Sequence, residues 1–498
     1  MKVFDIIIIG SGLGGLVTAA ILAKEGKSVL VLEKGKKIGG FLHTFKRDQT
    51  IFNTGMNYIG SLEKGGFLYQ YLQYLGVVDQ LNIKRLDMDC FDEISFRNHQ
   101  EVYPYAQGKD NFIHRMIESF PENKQAILQY TQALWDYTDK FPMLHLKQYS
   151  DGTKNEDYLI GGASEFISDI TNNPLLQSVL AATNSLYAGV KNKTPLYVHA
   201  LVNRQFIESA WRFVGGSMQL AELLSKKIID SGGEVKNRSQ VVKISTNSQV
   251  DTWVETLEGH RYFGKNIISN IHPNQTLNML DDKRIKHVYR KRISGLINTK
   301  SFFNIYMVFK PGQFPYYNKN FYHFINDDVW AGTNNKSKWP TYYMFYTNAA
   351  KQNQQWAQNA SLMTYMDYNE LIKWKDTIKG NRGADYESFK KMKAEQLLNL
   401  LEEKFPGIKP KIQSYYTATP LTYKHYNGAP QGASYGIEKD HHSIYKSIIM
   451  PKTKISNLFF TGQNLHMHGA LGVTIGAVLT SSELLGKEYL INKIRQSL

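Results

Sequence analysis

Apolar residues near the start of the chain fall into two short runs with a helical segment between them. The first run ends at Ile9, and the second, Ser28 to Leu32, is followed by Glu33. Continuous apolar runs of this length are typical of parallel strands covered on both faces. The segment between them, Leu16 to Glu25, stops at Gly26 and is predicted to be a helix. The order strand, helix, strand predicts the start of an α/β sheet.

The same pattern returns after residue 212 and again near the end of the chain. Met218 to Asp230 is predicted to be an amphipathic helix between two glycine pairs, and Glu234 to Ile244 and Asn266 to Ser269 to be strands. Ile455 to Phe460 is a further apolar run, and a helix from about Val473 is predicted to follow it. These segments are expected to complete the N-terminal sheet.

Two long interruptions separate the parts of this sheet. Residues 88–212 are predicted to be a helical insertion, with helix-like stretches at Asn111–Phe120, Asn123–Phe141 and Leu175–Ala188. Residues 301–414 contain aromatic, β-favouring runs and then an apolar helix stripe. The runs are Phe302–Phe309 and Thr341–Tyr346, and the stripe is Phe389, Met392, Leu397, Leu400 and Leu401. The chain is predicted to alternate between two domains, as 1–87, 88–212, 213–300, 301–414 and 415–498.

A glycine motif joins the first strand to the first helix. Gly10, Gly12 and Gly15 have the spacing G-x-G-x-x-G. The first glycine allows a tight turn, the second lets the backbone approach a pyrophosphate, and the third lets the helix pack on the strand. Glu33 lies at the ~20-residue offset at which a carboxylate binds a ribose 2′-OH and disfavours NADP. The motif in this context predicts a Rossmann-like dinucleotide-binding domain.

A basic, glycine-rich loop from Lys34 to Gly40 follows Glu33. Its amides can add to diphosphate binding through a backbone nest. Such a second loop is common in enzymes that hold FAD in an extended form, so FAD is the predicted cofactor. The sequence between Asn82 and Lys454 contains no convincing second G-x-G-x-x-G for a nicotinamide nucleotide. The electron partner is therefore expected to be the substrate itself, oxygen, a quinone or a loosely docked donor.

Charge and cysteine content narrow the possible partners and compartment. The 498-residue chain has a formal net charge of +15, and its densest basic stretch is Asp282 to Arg292. This charge fits the anionic surface of a membrane, whereas no zinc-finger cysteines or RNA-binding signature support nucleic acid as a partner. The single cysteine, Cys90, and the absence of a secretory signal favour the cytoplasm, with peripheral association at the inner face of the membrane as an option.

No metal site is predicted. His466 and His468 lie two residues apart, but a metal site needs three or four ligands and no further ligand follows at a useful spacing. The two most apolar segments, at the two ends of the chain, are broken by glycine clusters and are not expected to span a bilayer.

Several blocks of the sequence resemble one flavoprotein family. Gly39-Gly40, His43-Thr44-Phe45 and Phe52 to Gly60 resemble the FAD enzymes that include bacterial phytoene desaturases, carotenoid isomerases and retinol saturase, with the closest likeness to the retinol saturase branch. Asn57 stands where that branch has a histidine, and His466-Met467-His468 replaces a cysteine-containing stretch. Further blocks follow in family order: Val214–Leu220, Ile268–Asn270, Thr419–Thr422, Gly432–Gly436 and Thr461–Gln463.

The resemblance implies a fold, a reaction and a set of site residues. The fold is an FAD-binding domain of the glutathione-reductase and amine-oxidase type, interleaved with a mixed α+β substrate domain. The reaction is oxidoreduction at carbon–carbon double bonds of a long apolar carotenoid, retinoid or other polyunsaturated lipid, with saturation favoured over desaturation. The expected cofactor-binding residues are Gly10, Ser11, Gly12, Leu13, Gly14, Gly15, Glu33, Lys34, Gly39, Gly40, Thr54, Gly55, Val242, Gly462, Asn464, Gly472 and Val473. The expected catalytic residues are Tyr435, His466 and His468, with one histidine delivering a proton.

Two other functions are compatible with the same fold. An amine-oxidase-like enzyme acting on a soluble amine needs aromatic walls beside the flavin, which Tyr423, Tyr426 and Tyr435 could supply. A flavin-free lipid carrier of related fold is the second alternative. The intact glycine motif and Glu33 argue against the carrier, because a carrier has no need to keep a phosphate-binding geometry.

Overall fold

A computed structural model describes residues 2–147, 159–246, 252–334, 337–350 and 354–498. The strands are β1 Val3–Ile9, β2 Val29–Leu32, β3 Thr44–Arg47, β4 Thr50–Asn53, β5 Ile59–Gly60, β6 Ile83–Arg85, β7 Asp92–Phe96, β8 Val102–Tyr105, β9 Ala210–Phe213, β10 Glu234–Lys236, β11 Val241–Thr246, β12 Thr252–Thr256, β13 Arg261–Ser269, β14 Ser301–Phe309, β15 Asn320–Phe324, β16 Tyr342–Thr347, β17 Asn359–Met366, β18 Ile412–Ala418 and β19 Leu458–Phe460.

The helices are connected by turns and short 3₁₀ segments. They are α1 Leu13–Lys24, α2 Phe67–Tyr74, α3 Lys109–Ser119, α4 Lys124–Asp139, α5 Ala163–Ile170, α6 Pro174–Ala181, α7 Leu196–Glu208, α8 Met218–Asp230, α9 Pro273–Asn278, α10 His287–Ser294, α11 Ala384–Lys404, α12 Pro420–Asn427, α13 Ile444–Ser447, α14 Gly469–Leu485 and α15 Lys487–Arg495. No helix among the described residues is long and apolar enough to cross a membrane.

The first sheet has the order β10-β2-β1-β13-β12-β11, and β19 pairs with the far end of β13. The β10, β2, β1, β13 and β19 pairings are parallel, as the apolar runs of the sequence predict, whereas β11 and β12 are antiparallel. Helix α1 packs between α8 and α14 and is buried from Gly14 to Ala23. The first sheet thus collects strands from the start, middle and end of the chain.

The second sheet has the order β18-β14-β17-β16-β15-β7-β8 and is antiparallel except where β15 pairs with β7. Its central strands β14, β16 and β17 are buried along their whole length. The aromatic runs predicted to be strands therefore lie in the middle of a sheet that is covered on both faces. One face of this sheet and helix α7 line a cavity that is also lined by the carboxyl ends of strands of the first sheet.

Four predictions about individual elements are wrong. Residues 88–212 also supply β7 and β8 to the second sheet, so that insertion is not purely helical. Glu234 to Ile244 is two strands, because the chain turns through Arg238 at a φ of +52°. Helix α14 begins at Gly469 rather than near Val473, since packing against α1 outweighs the weak helix propensity of its glycines. Met392 is 48% exposed and does not belong to the buried stripe of α11.

Candidate functional site

A single long cavity of about 560 Å³ runs from the glycine turns of the first sheet to the inner face of the second sheet. Its volume lies within the roughly 300–1,000 Å³ typical of ligand and cofactor sites. Gly10, Glu33 and Gly40 line one end, and Met344 and Met363 of the second sheet line the other. The cavity therefore begins at the carboxyl ends of parallel strands, where α/β sheets bind their ligands.

The two N-terminal glycine loops pack directly on each other. Gly10 has a φ of +92° and its N–H donates to the Leu32 carbonyl at 2.8 Å. The Gly39 N–H donates to the Ser11 carbonyl at 2.9 Å, and a Cβ at Gly40 would lie 3.2 Å from the Gly12 Cα. Both loops line the cavity beside the N-terminus of α1. The N-cap residue Gly12 offers no side chain to this helix end, so its first N–H groups suit an anionic ligand.

Hydrogen bonds from the first glycine turn and from the loop after β2 hold the Glu33 side chain in place. The carboxylate is 8% exposed and lines the cavity. One oxygen accepts hydrogen bonds from the Ser11 N–H at 3.0 Å and the Ser11 hydroxyl at 2.6 Å, and the other accepts from the Gly35 N–H at 2.7 Å. An ionised carboxylate has about four acceptor positions, so a ribose hydroxyl can still bind to it.

The C-terminal glycine turn meets the N-terminal one. A Cβ at Gly14 would lie 2.7 Å from the Gly462 Cα, and the hydroxyls of Thr18 and Thr461 are 3.1 Å apart. Asn270 lies between the two turns, and its side-chain amide donates to the Gly10 carbonyl at 3.3 Å. The two ends of the chain thus form the wall of one cavity. Asn270 directly follows β13, and the sequence indicated it only as part of a block shared with the family, without a role.

Asn464 is buried against this cavity, and its side-chain carbonyl has no hydrogen-bond partner among the described residues. Leaving such an acceptor unpaired costs about 1–3 kcal/mol. A ligand hydroxyl or N–H in the cavity would remove that cost. The neighbouring N-terminus of α14, at Gly469 and Ala470, also faces the cavity.

Most of the residues expected to bind the cofactor line the cavity. They are Gly10, Gly12, Leu13, Gly14, Glu33, Lys34, Gly39, Gly40, Thr54, Gly55, Asn464 and Val473. Three further expected residues do not line the cavity but belong to the glycine turns beside it: Ser11, Gly15 and Gly462. Gly472 faces Met467 instead of the cavity, since a Cβ there would lie 2.5 Å from the Met467 Cβ.

The expectation for Val242 is corrected by the structure. Successive residues of a strand point to opposite faces. Val241 is buried and lines the cavity, whereas Val242 points away from it and is 38% exposed. The residue of β11 that lines the cavity is therefore Val241, one position before the residue that the family resemblance implied.

The far end of the cavity is an apolar chamber. Met344 and Met363 face each other from paired strands, and the ring centroids of Phe206 and Tyr58 are 4.4 Å apart. Asn57 is held by the Tyr346 hydroxyl at 2.6 Å, and its amide donates to the sulfur of Met363 at 3.2 Å. The apolar and aromatic residues of this chamber are Met56, Tyr58, Ile59, Leu186, Val202, Phe206, Phe302, Tyr342, Met344, Met363 and Tyr435.

Tyr435 and His468 lie together at the entrance to this apolar chamber. Their ring centroids are 4.7 Å apart, and the Tyr435 hydroxyl donates to the Ser185 carbonyl at 3.1 Å. Burial raises the pKa of Tyr435 well above its usual value. Burial, with a smaller effect from the charge of Lys439, lowers the pKa of His468 to about 3. His468 is therefore a neutral imidazole near pH 7, and its Nε2 has no partner among the described residues.

His466 occupies a different position from His468. Its side chain does not line the cavity, and its carbonyl accepts a hydrogen bond from the Tyr197 hydroxyl at 3.3 Å. Burial, and then the charge of Lys439, lower the pKa of His466 to about 4. Neither histidine carries an imidazolium proton at neutral pH. Their assignment as proton donors stays a prediction, and His468 alone is placed to touch a ligand.

Lys439 is a buried amine that the sequence did not identify. Its Nζ donates to the carbonyls of Leu465 at 2.6 Å and Ser447 at 2.8 Å. Burial lowers the pKa of Lys439 to about 7. The amine fixes the backbone between β19 and α14, and its charged form adds a smaller effect to the burial that lowers the pKa of both histidines. No periodicity or motif in a sequence marks a lysine as buried, so Lys439 could not be predicted as part of the site.

The sequence profile described as "Flavin containing amine oxidoreductase" matches residues 13–481, nearly the whole chain. The chain belongs to this family. It is 25% identical to an all-trans-retinol 13,14-reductase of Danio rerio over 97% of this chain and 86% of the relative. It is 26% identical to a chloroplastic prolycopene isomerase 2 of an Oncidium hybrid cultivar over 87% and 75% of the two chains.

A solved structure supports the same fold. Cyclohexylamine oxidase from Brevibacterium oxydans superposes with a TM-score of 0.62 at 14% identity, and the match covers 97% of this chain and 99% of the oxidase. The predicted combination of a Rossmann-type FAD fold with a second, mixed domain is confirmed. The predicted resemblance to retinol saturase and carotenoid isomerases is confirmed as well.

The residues of the cavity fit FAD. The paired glycine turns offer N–H groups to a diphosphate, Glu33 offers acceptors to a ribose, and the unpaired Asn464 carbonyl awaits a donor farther along. All three features line the same cavity, as the binding of an extended FAD requires. The protein is an FAD-dependent oxidoreductase.

Proposed function

We propose that the protein reduces a carbon–carbon double bond of a long apolar polyene or related lipid. The observation that carries the proposal is the apolar chamber, which continues the cofactor cavity into the second sheet. Relatives that span the chain include an all-trans-retinol reductase and a prolycopene isomerase. Reduction is favoured over isomerisation because the reductases match more of this chain.

The chamber is better suited to a hydrocarbon than to an amine. Among the described residues that line the cavity, Glu33 is the only acidic one, and it is held at the glycine turn by Ser11. Tyr426, which an amine-oxidase-like cage would use, is 48% exposed. A protonated amine would enter the chamber without a carboxylate partner, which is costly in an apolar site.

The side chains of the chamber can position a polyene and exclude water. FAD, when bound and reduced, would supply the hydride, and a proton must reach the neighbouring carbon to complete the saturated bond. Phe302, Tyr435 and Met363 provide flat and flexible apolar surfaces on which a polyene can lie. The neutral His468 Nε2 provides a hydrogen-bonding group at the entrance. We propose that it orders a water molecule or a substrate hydroxyl there.

The test uses the purified FAD-loaded protein, reduced anaerobically and mixed with all-trans-retinol, prolycopene or cyclohexylamine. Saturation predicts reoxidation of the flavin by the polyene and a product that is heavier by two hydrogen atoms. A polyene of unchanged mass with altered double-bond geometry would identify an isomerase. Bleaching of the oxidised enzyme by the amine, with no reaction of any polyene, would overturn the proposal.

We further propose that the protein binds peripherally to anionic membranes through the exposed part of α10 and the segment before it. The side chains of Arg284, Arg290 and Arg292 donate hydrogen bonds to backbone carbonyls. They therefore contribute less positive charge to a membrane-binding surface than the sequence suggested. Lys286 and Lys291 make no such contact with the residues that the structure describes. The apolar side chain of Val288 is 78% exposed between them. Such a surface combines charge with an apolar contact.

Liposomes test this surface. The wild-type protein is expected to sediment with vesicles that contain phosphatidylserine and to be released by high salt, because each lysine near an anionic surface adds about 1 kcal/mol. Val288→Asp with Lys291→Glu should lose this binding and keep FAD. Matched changes on α11, Met392→Asp with Lys391→Glu, should leave it intact. Equal binding to neutral vesicles would contradict the proposal.

A further inference from the structure

Glu165 and the histidine pair His441-His442 lie far apart in the sequence but come together outside the FAD cavity. Glu165 lies in the first turn of α5, and His441 and His442 begin a short 3₁₀ turn of the C-terminal segment. One ligand atom from each residue lies within 4.8 Å of the others. We propose that Glu165, His441 and His442 bind one divalent transition-metal ion, with zinc as the best match to this ligand set.

The ligand set has the chemistry of a zinc site. Two neutral imidazoles and one carboxylate give three protein ligands, and water can occupy the fourth position of a tetrahedral ion. The His441 Nε2 is buried, lacks a hydrogen-bond partner among the described residues, and lies 3.4 Å from a Glu165 oxygen. An ion between these atoms would satisfy both of them at once.

Neighbouring groups orient the proposed ligands. The His442 Nε2 lies 3.0 Å from the Asn192 carbonyl, which leaves Nδ1 available to an ion. The Ser164 hydroxyl donates to the second Glu165 oxygen at 2.9 Å and to the Asn192 side chain at 3.3 Å. Metal-bound histidines commonly donate their other N–H to a carbonyl in this manner. Zinc bonds of about 2.0–2.2 Å require the donors to approach each other more closely, which side-chain rotation of the exposed His442 and the half-buried Glu165 allows.

Gly162 keeps the space between the ligands open. A Cβ at this position would lie 2.0 Å from Glu165 Oε2 and 2.7 Å from His441 Nε2. Its backbone is in the ordinary extended region, with a φ of −94°, so the backbone conformation itself does not require glycine here. The glycine is therefore explained by the space beside the ligands.

The proposed ion would connect parts of the chain that shape the substrate chamber. The backbone N–H of His441 donates to the Lys193 carbonyl, and the backbone N–H of Ala163 donates to the Thr194 carbonyl, both at 2.8 Å. Helix α7 starts two residues after Thr194 and presents Phe206 to the chamber. The ion would cross-link α5 and the C-terminal segment beside the start of that helix, so its expected effect is stabilisation of this side of the chamber.

Zinc binding to the metal-free, FAD-loaded protein tests the proposal. After equilibrium dialysis against buffered Zn²⁺, wild type is expected to hold about one zinc ion per chain and to unfold at a higher temperature. His441→Gln and Glu165→Gln should each bind zinc at least roughly tenfold more weakly, since loss of a supporting contact alone costs roughly 10–100-fold. Gly162→Ala should weaken binding while all three ligands remain.

Two controls separate this site from adventitious binding. His114→Gln removes an exposed histidine of α3, away from the proposed site, whose Nδ1 lies 3.7 Å from Glu118 in the same helix. This variant should bind zinc as wild type does. FAD content in every variant reports whether the fold is intact. Absence of stoichiometric zinc in wild type, or equal binding in wild type and the flavin-loaded His441→Gln and Glu165→Gln proteins, would overturn the proposal.

Discussion

Gly12→Ala is expected to give a folded protein that binds FAD much more weakly. Gly12 caps the N-terminus of α1 with a φ of −61° and a ψ of 170°, a conformation that alanine adopts without strain. Its Cβ would lie 2.9 Å from the Asn270 amide nitrogen, on the surface that the two glycine loops present to the cavity. The methyl group thus occupies the space through which a diphosphate approaches the backbone. We expect binding to weaken by more than about tenfold, a cost above about 1.4 kcal/mol.

The flavin-to-protein ratio after purification, and again after incubation with added FAD, measures this effect. Gly476→Ala is the matched control, because it places a methyl group in α14 whose nearest neighbour is 3.9 Å away. Gly14→Ala is unsuitable, since its Cβ would collide with the backbone of Gly462 at 2.7 Å and disturb the fold itself. Full flavin in Gly12→Ala would show that the diphosphate does not lie on this turn.

The nucleotide end of the site could be predicted from the sequence because it depends on local backbone geometry. Gly10 forms the tight turn, Gly12 lets the ligand approach the backbone, and Glu33 follows the second strand. These three roles require fixed spacings that can be seen in the sequence. The contact between Gly14 and Gly462 could be anticipated only in part, from the rule that parallel strands present their ligand at the same edge.

The substrate end could not be predicted in the same way. Met344 and Met363 line the chamber because β16 and β17 pair in a particular register, and Phe206 joins them from a helix more than a hundred residues earlier. Aromatic and apolar residues give the same signal whether they fill a core or line a chamber. The burial of Lys439 and the neutral state of His468 likewise arise from packing between distant segments, which no local pattern encodes.

Met344→Trp is expected to block the reaction with a polyene and to leave FAD binding unchanged. Met344 is 4% exposed, lies on β16 and lines the apolar chamber opposite Met363. An indole at this position extends into the open chamber and takes the volume that a long hydrocarbon needs. Overpacking of a filled core costs about 1–3 kcal/mol, but here the added atoms have a cavity to enter. We expect reoxidation of the reduced enzyme by the polyene to slow at least roughly 100-fold, about 2.7 kcal/mol in the barrier.

Three comparisons assign this loss to the chamber. Met344→Leu conserves the volume and should react within a few-fold of wild type. Met392→Trp makes the same exchange on the exposed face of α11 and should have no effect. Dioxygen is small enough to pass the indole, so it should reoxidise reduced Met344→Trp and wild type at similar rates, which separates a blocked chamber from a damaged flavin site. If Met344→Trp holds FAD and still reacts with the polyene at the wild-type rate, the hydrocarbon does not occupy this chamber, because an indole and a polyene cannot share the same space.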